Sequence, residues 1–375
     1  MKDLQKRTWA EISLDNIRHN YRSIRSKLPE GCKFLGVVKA DAYGHGALPV
    51  SKLLEQEGAD YLAVSCLDEA LELREGGIKM PILILGHTPP RYTDLLLENN
   101  ITQTVSCLAK ALEYSERAQF YGKELKIHIK LDTGMSRLGF LCEGEHFQEG
   151  IENVAMACEL PGLYAEGMYT HFSVSDESGE DNREYTVKQF ETFAEFTKKL
   201  EIRLQKRLDL YHCANSGCVV NYSGYELDMV RPGLLLYGYG DTTGRFGLKP
   251  CMRLVTTVST IKFYEKGTSV SYGRRYVTDK RTRMGVLPIG YADGLPRLIS
   301  NNCSFAVSGG FAPQRGSICM DMCMVDLSDL PQVDVGSQVE LFGSENSIYK
   351  LSDAAMTIPY ELLCSVSKRV PRVYN

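Results

Sequence analysis

The 375-residue chain reads as an α/β protein: a (β/α)8 TIM barrel over residues 1–243, followed by a mostly-β domain over 244–375. Three observations carry this expectation. Short apolar runs alternate with polar, helix-spaced stretches over the first two thirds of the chain. The pattern then changes after Gly240-Asp241-Thr242-Thr243-Gly244-Arg245-Phe246-Gly247, a loop beyond which β-branched alternation and glycine turns take over. Residues suited to chemistry follow the carboxyl ends of the candidate strands, where barrel sites lie.

The elements run in order. Residues 8–12 read as a strand ahead of the first helix. The barrel strands are placed at 34–38, 61–64, 82–85, 102–105, 126–131, 163–169, 208–214 and 227–230. Between them, 67–77 has helical spacing and stops at the Gly76-Gly77 pair, and 185–204 is a second helical stretch. In the second domain, 254–261 reads as one alternating strand, with further short strands after it.

Composition removes several functional classes. Hydrophobic residues make up 43% and charged residues 24%, ordinary for a globular protein. A net charge of −4 gives no basic footprint for nucleic acid. No apolar run reaches the about 18 residues of a membrane span. Met1-Lys2-Asp3-Leu4-Gln5-Lys6-Arg7 lacks the apolar core of a secretion signal. The 12 cysteines are scattered without a paired metal-binding pattern. Together these features predict a cytoplasmic chain whose thiols are reduced and act as small apolar groups, with no metal.

Lys39 is the most informative residue. It follows the apolar run Phe34-Leu35-Gly36-Val37-Val38 and opens Ala40-Asp41-Ala42-Tyr43-Gly44-His45-Gly46. A lysine at the carboxyl end of a buried strand is costly unless paired or chemically used. Desolvation leaves a nucleophilic amine, suited to a Schiff base with a carbonyl such as the aldehyde of pyridoxal phosphate. The plain alternative is a lysine that snorkels out of the strand end.

The stretch 38–46 resembles the cofactor-lysine motif of the bacterial alanine racemase family, a pyridoxal-phosphate family of fold type III. Further blocks resemble the same family in the same order: Lys130-Leu131-Asp132-Thr133-Gly134-Met135-Ser136-Arg137-Leu138-Gly139, Tyr169-Thr170-His171-Phe172, His212-Cys213-Ala214-Asn215-Ser216 and Val230-Arg231-Pro232-Gly233. Ser271-Tyr272-Gly273-Arg274, Gly290-Tyr291-Ala292-Asp293-Gly294, Ile318-Cys319-Met320-Asp321 and Pro359-Tyr360-Glu361 complete the set, which covers essentially the whole chain.

The resemblance implies a role for each matched position. Lys39 would carry pyridoxal 5'-phosphate and, once freed, serve one face of the substrate α-carbon. Tyr272 would serve the other face. A phenol with an ordinary pKa of about 10 is a weak base at neutral pH, so it needs a hydrogen-bonding partner, which His171 matches. Arg231 would face the pyridine nitrogen. Many cofactor enzymes put a carboxylate there; an arginine only donates and leaves the ring a weaker electron sink, which suits racemisation. Tyr43, Ser216, Tyr360 and backbone amides near Gly233 and Leu234 match the phosphate cradle, with Asn215 in the same motif.

Arg137, Met320, Asp321 and Tyr291 match substrate-contacting positions, with Arg297 also near the entrance. Lys130 matches a lysine often carbamylated in the family; the alternative is a barrel lysine paired with a neighbouring acid. The family packs a strand like 8–12, within residues of about 1–12, on its C-terminal domain. Its members pair head to tail, so that Tyr272, Tyr291 and Met320 reach the cofactor of the other subunit. The implied function is interconversion of L- and D-alanine, supplying D-alanine for peptidoglycan.

Alternatives stay open at this point. A serine racemase, or one acting on both amino acids and linked to altered cell-wall precursors, would keep all of this chemistry. A hydroxyl added in an apolar pocket is discriminated only about 100-fold. Such proteins can carry a membrane domain ahead of the barrel, and the sequence leaves open whether this chain is part of a longer one. A decarboxylase of the same architecture would place an acid where Arg231 stands. A non-catalytic cofactor-binding protein would be a barrel alone, without Tyr272.

Overall fold

The computed structural model describes residues 7–375. The expectations for residues 1–6, as free of a leader and as part of the segment packing on the second domain, lie outside the described residues. The chain divides into two compact units. One holds Arg18–Ala42 and Ala47–Leu248; the other holds, of the described residues, 7–17, Tyr43–Gly46 and Lys249–Asn375.

Strand β1 (Thr8–Ile12) precedes the barrel strands β2 (Lys33–Val37), β3 (Tyr61–Val64), β4 (Ile82–Ile84), β5 (Ile101–Val105) and β6 (Leu125–Asp132). A short β7 (Phe140–Leu141) is followed by β8 (Leu163–Tyr169), β9 (Leu210–His212) and β10 (Met229–Val230). The sheet runs β10-β2-β3-β4-β5-β6-β8-β9, with β7 pairing β6 off the ring. All its pairings are parallel. The ring closes where Arg231 N donates to Ala214 O at 2.9 Å and Asp228 N donates to Tyr211 O at 3.1 Å. Parallel strands need crossovers, and helices such as Ala47–Gln56, Leu67–Glu75, Leu108–Phe120, Phe147–Glu159 and Glu180–Leu204 supply them. This is the (β/α)8 barrel that the alternation predicts.

Covered on both faces, most barrel strands are short runs of buried residues, as in Tyr61-Leu62-Ala63-Val64. Strand β6 differs. Its sequence Leu-Lys-Ile-His-Ile-Lys-Leu-Asp alternates strictly. One face carries Leu125, Ile127, Ile129 and Leu131; the other carries Lys126, His128, Lys130 and Asp132. His128 reaches His212 on β9, so the polar face is the barrel interior.

The other unit is mostly β, as expected. Its strands are β11 (Met252–Thr257), β12 (Thr260–Tyr264), β13 (Ser269–Val270), β14 (Tyr276–Val277), β15 (Thr282–Leu287), β16 (Ser304–Val307), β17 (Gly310–Arg315), β18 (Cys323–Asp326), β19 (Gln338–Phe342) and β20 (Arg372–Tyr374). One sheet takes the order β12-β15-β18-β17-β16-β19-β11-β1-β20, in which β1 pairs antiparallel to β11 and parallel to β20. The single strand expected at 254–261 is instead two. Val258 N and O bond Ser337 O and Gly336 N, whereas Ser259 N bonds Val286 O, so the chain changes partner there and the pairing breaks. Trp9 and Ile12 of β1 are buried in this unit.

Directly after Val38 the backbone makes an unusual turn. Ala40, Asp41, Ala42 and Tyr43 all have φ between 53° and 54°. Left-handed geometry costs roughly 1–2 kcal/mol per non-glycine residue, so four in succession persist only if neighbours hold them. Glu69, on the helix Leu67–Glu75, does so: one carboxylate oxygen accepts Ala40 N and the other Ser65 N, each at 2.7 Å. Asp41 Oδ1 accepts Ala47 N at 2.7 Å. The turn continues into Gly44, whose φ is +78°; a Cβ there would lie 2.3 Å from Leu363 O. Gly44→Ala is therefore expected to cost ~1–3 kcal/mol and lower the thermal midpoint, as read by calorimetry. An unchanged midpoint would mean that the turn relaxes freely.

Candidate active site

In the barrel unit the expected residues gather at the carboxyl ends of the strands. Lys39 opens the left-handed turn beyond β2, and Lys130 and Arg137 lie on and after β6. His171 follows β8, Asn215 and Ser216 follow β9, and Arg231, Gly233 and Leu234 follow β10.

Arg231 is buried at 3% exposure and surrounded by acceptors. Its Nη1 donates to His212 Nδ1 at 2.9 Å. Its Nη2 donates to Thr170 O at 2.8 Å, Cys213 O at 2.9 Å and, more weakly, His171 Nδ1 at 3.4 Å. The guanidinium lies over the Tyr169 ring at 5.2 Å. Guanidinium has five N–H donors. Its Nε–H and second Nη1–H have no protein acceptor among the described residues. No carboxylate pairs with it among the described residues either.

The imidazoles beside it are held neutral. Burial pushes His171 well below its ordinary pKa, and the charges of Arg231, Lys130, Arg137 and Lys39 push it further. His212 is lowered by burial, then by Arg231, His128 and Lys130. Because arginine cannot accept, both Nδ1 atoms are acceptors, so each ring carries its proton on Nε2. Lys130 is 5% exposed, donates to Leu131 O at 2.9 Å and lies 5.3 Å over the Tyr169 ring. Burial and the Arg231 and Arg137 charges push its ammonium down to about 7, against the opposing pull of Asp132. Arg137 itself is exposed, in a loop where Asp132 Oδ1 accepts Gly134 N and Ser136 N.

Ser216 Oγ accepts Gly233 N at 2.9 Å, so the amide-rich turns after β9 and β10 converge on one hydroxyl. Amides grouped this way at helix starts suit an anion. The Asn215 side chain is engaged as a helix cap. Its Oδ1 accepts Cys218 N at 3.0 Å and Ser175 Oγ at 2.7 Å, and its Nδ2 donates to Phe172 O at 3.2 Å, so it positions Ser216.

The second unit carries the other expected residues. Tyr43 and Tyr360 face each other with ring centroids 5.8 Å apart, and burial raises the Tyr43 phenol, helped by Tyr360 and Cys364. Tyr272 is 70% exposed on a turn that begins at Ser271, φ 66°. Ser317 Oγ donates to Tyr272 O at 2.8 Å and Ser271 Oγ to Ser317 O at 2.6 Å, which fixes that turn. Tyr291 and Met320 are exposed on two segments locked together, with Tyr291 N donating to Cys319 O and Ala292 N to Met320 O. Asp293 is 2% exposed and pairs with Arg7 at 3.2 Å and Arg369 at 3.0 Å; Arg369 also holds Asp321 at 2.8 Å. Arg297 is exposed at the start of a short 3-10 turn.

Sequence reasoning assigned no role to Glu69, His128, Glu166, His212 or Asp293. The usable signal for two of these was polar residues at alternate positions of a buried strand; for Asp293 and His212 it was their place inside motifs already noted. All 12 cysteines are free thiols, and no group of three or more His, Cys, Asp or Glu side chains could hold a metal among the described residues. No helix among them is long and apolar enough to cross a membrane.

A (β/α)8 barrel with a strand-end lysine and a buried arginine in place of a carboxylate, joined to a mostly-β unit bearing an exposed tyrosine, defines a narrow class. Residues 12–241 match the family model of the alanine racemase N-terminal domain, and 251–374 that of the C-terminal domain. The chain belongs to the alanine racemase family. It is 42% identical to alanine racemase 2 of Caldanaerobacter subterraneus subsp. tengcongensis, over 100% of this chain and 96% of the relative. It is 43% identical to the alanine racemase of Clostridium perfringens, over 98% and 95%. Among solved structures, the alanine racemase of Clostridium difficile 630 matches with a TM-score of 0.92 at 39% identity, over 100% of this chain and 97% of that one. The alanine racemase of Bacillus anthracis with bound L-Ala-P matches with a TM-score of 0.88 at 33% identity, over 99% and 96%.

Two titrations follow. His171 and His212 have folded pKa values below the unfolded 6.5, so the unfolded chain takes up protons first as pH falls. Stability is full above about 6.5 and is lost as pH drops below it. The thermal midpoint should fall on acidification from pH 7 to 5, and less steeply in His212→Gln. For bicarbonate-free protein, Lys130 with its folded value of about 7 below the unfolded 10.5 should make stability rise between those two pH values. Lys130→Met should flatten that rise in denaturant titrations.

Proposed function

We propose that the chain is an alanine racemase, interconverting L- and D-alanine with pyridoxal 5'-phosphate and supplying D-alanine for peptidoglycan. The observation that carries this is Arg231: a buried donor-only group, ringed by acceptors, with two N–H bonds left for a ligand. The donor set fits the cofactor. Lys39 at a strand end suits its aldehyde, Ser216 with the turn at Gly233 and Leu234 suits its phosphate, as do Tyr43 and Tyr360, and Arg231 suits an unprotonated pyridine nitrogen. When bound, the cofactor makes the substrate α-proton acidic.

The protein's own groups then move that proton. Lys39 would hold the cofactor and, as a free amine, would take or return the proton on one face. Tyr272 does so on the other, and His171, with its proton on Nε2, suits a donor that steadies a phenolate. Arg137 and the Met320–Asp321 segment hold the substrate carboxylate, and Tyr291 stands at the entrance. Arg231 only donates and would not supply a proton to the pyridine nitrogen, so the bound cofactor would be a weaker electron sink, which suits racemisation over side reactions.

The finer reading extends to assembly. A head-to-tail homodimer in which Tyr272, Tyr291 and Met320 complete the other copy's site is supported by their exposure on the second unit. We assign the functional domains to 1–243 and 244–375 and the protein to the cytoplasm. Lys130 is a candidate for carbamylation, because an ammonium of about 7 leaves much of the amine neutral and able to add carbon dioxide. The resulting anion would hold Arg137. A serine preference draws no support from relatives named for alanine.

The test is initial racemisation of L-alanine and L-serine, side by side, with pyridoxal phosphate bound. Alanine should lead in kcat/KM by tenfold or more; a lead for serine would overturn the substrate assignment. Tyr272→Phe should lower kcat by ~10²-fold or more while the cofactor stays bound, and Lys39→Ala should abolish both covalent attachment and racemisation. Intact mass in bicarbonate should exceed that of Lys130→Met, after allowing for the substitution, by one carbon dioxide.

A further inference from the structure

The interior of a (β/α)8 barrel is normally filled by branched apolar side chains. Here a line of hydrogen-bonded polar groups runs inward from the opposite side of Arg231. Arg231 Nη1 meets His212 Nδ1 at 2.9 Å, His212 Nε2 meets His128 Nδ1 at 2.9 Å, and His128 Nε2 meets Glu166 Oε2 at 3.1 Å. Glu166 also meets Lys126 Nζ at 3.5 Å and the Tyr61 hydroxyl. Lys126 is half-exposed, whereas Glu166, His128 and His212 are buried. From this line we infer that Glu166 is a positioning residue for the proposed racemase: through His128 and His212 it fixes the direction of every hydrogen bond up to Arg231.

The two ends leave no choice between them. An arginine can only donate, and an ionised carboxylate can only accept. Burial raises the Glu166 carboxyl, but the hydrogen bond from His128, the Lys126 ammonium and the hydrogen bond from the Tyr61 hydroxyl oppose it, and the group lies below its ordinary value, so it is ionised at neutral pH. His212 therefore accepts on Nδ1 and donates from Nε2. His128 accepts on Nδ1 and donates from Nε2 to Glu166. A second proton on His128 would have to sit on Nδ1, facing the His212 N–H, and the link would break. The hydrogen bonds thus assign both rings the same tautomer.

The packing holds both rings in place. Tyr169 stacks on His212 with centroids 4.8 Å apart and planes 9° apart, and its hydroxyl meets Thr104 Oγ1 at 3.0 Å. A Cβ on Gly167 would lie 2.9 Å from His128 Cε1 and 3.0 Å from its Nδ1, so glycine makes room for the ring. A buried charge without a partner is expensive. Arg231 has no adjacent carboxylate, and polarised imidazoles carry part of the Glu166 charge toward it. The line keeps a lone pair, never an N–H, opposite the guanidinium. The fork is therefore held in one orientation, with its Nε–H and second Nη1–H left for a ligand.

The test uses the full chain, labelled with 15N in its histidine rings and loaded with pyridoxal phosphate. At neutral pH the His128 and His212 rings, like that of His171, should carry a single proton on Nε2. A proton on Nδ1 of His128 or His212 overturns the inference. Glu166→Gln keeps the shape and removes the charge. It should lower kcat by about tenfold with KM within about threefold, as expected for a lost charge-assisted bond acting through Arg231. The pH dependence of cofactor absorbance should move with it, and Glu166→Asp should recover part of the loss. Gly167→Ala, which displaces His128 without changing any charge, should give the same split. Wild-type kcat in the folded fraction of both Glu166→Gln and Gly167→Ala would leave Glu166 a packing residue and overturn its positioning role. Should the wild-type chain show the tautomer pattern but racemise neither alanine nor serine, the hydrogen-bond line stands and the racemase reading fails.

Discussion

Arg231 brings a full charge into the barrel with no carboxylate beside it, so every group within reach has to accept rather than donate. Two main-chain carbonyls, Thr170 O and Cys213 O, do so because β8 and β9 end at the same level. The imidazoles of His171 and His212 do so only in their neutral forms, with Nδ1 bare. The charge that makes the arginine useful thus also fixes the protonation of its neighbours. Closure of the barrel depends on the same residue, since Arg231 N bonds Ala214 O where β9 and β10 meet. Fold and chemistry share one side chain and its own amide.

A second constraint acts at Lys39. A chain leaving a parallel strand usually goes straight into a right-handed crossover. Here it passes through four left-handed residues in a row, none of them glycine. Such a turn is unfavourable in isolation, and it is held by the carboxylates of Glu69 and Asp41 acting on main-chain amides. Charged acceptors make stronger bonds to N–H groups than neutral ones do. The main chain at Lys39 is therefore held in one conformation, which the role proposed for its amine requires.

How much of this the sequence revealed depends on the kind of signal. The barrel strands were legible because a buried parallel strand has little room for polar residues, and runs such as 61–64 and 163–169 stand out from their surroundings. The break at Val258 and Ser259 was not legible, because an alternating strand looks the same whether it keeps one partner or exchanges it for another. Lys39, Arg231 and Tyr272 drew notice because they sit in dense motifs. Their supports did not. Glu69 is one of several acids on an ordinary helix and Glu166 a single acid in a buried strand, and only the fold brings them to Ala40 N or His128. His128 offered a faint clue, a polar residue on the even-numbered face of a strand whose odd-numbered face is entirely apolar.

The charge balance of the barrel mouth links these observations. Lys39, Lys130, Arg137 and Arg231 all act on His171, and each pushes it toward neutrality. Four cations around one imidazole would repel one another strongly if nothing offset them. One of them, Lys130, gives way, its ammonium depressed to about 7 by burial and by Arg231 and Arg137. The others need an anion. A phosphate near Ser216 and a carboxylate near Arg137 would each supply one, which is what an amino acid and its phosphorylated cofactor carry. A bound anion would therefore offset positive charge that the fold holds together.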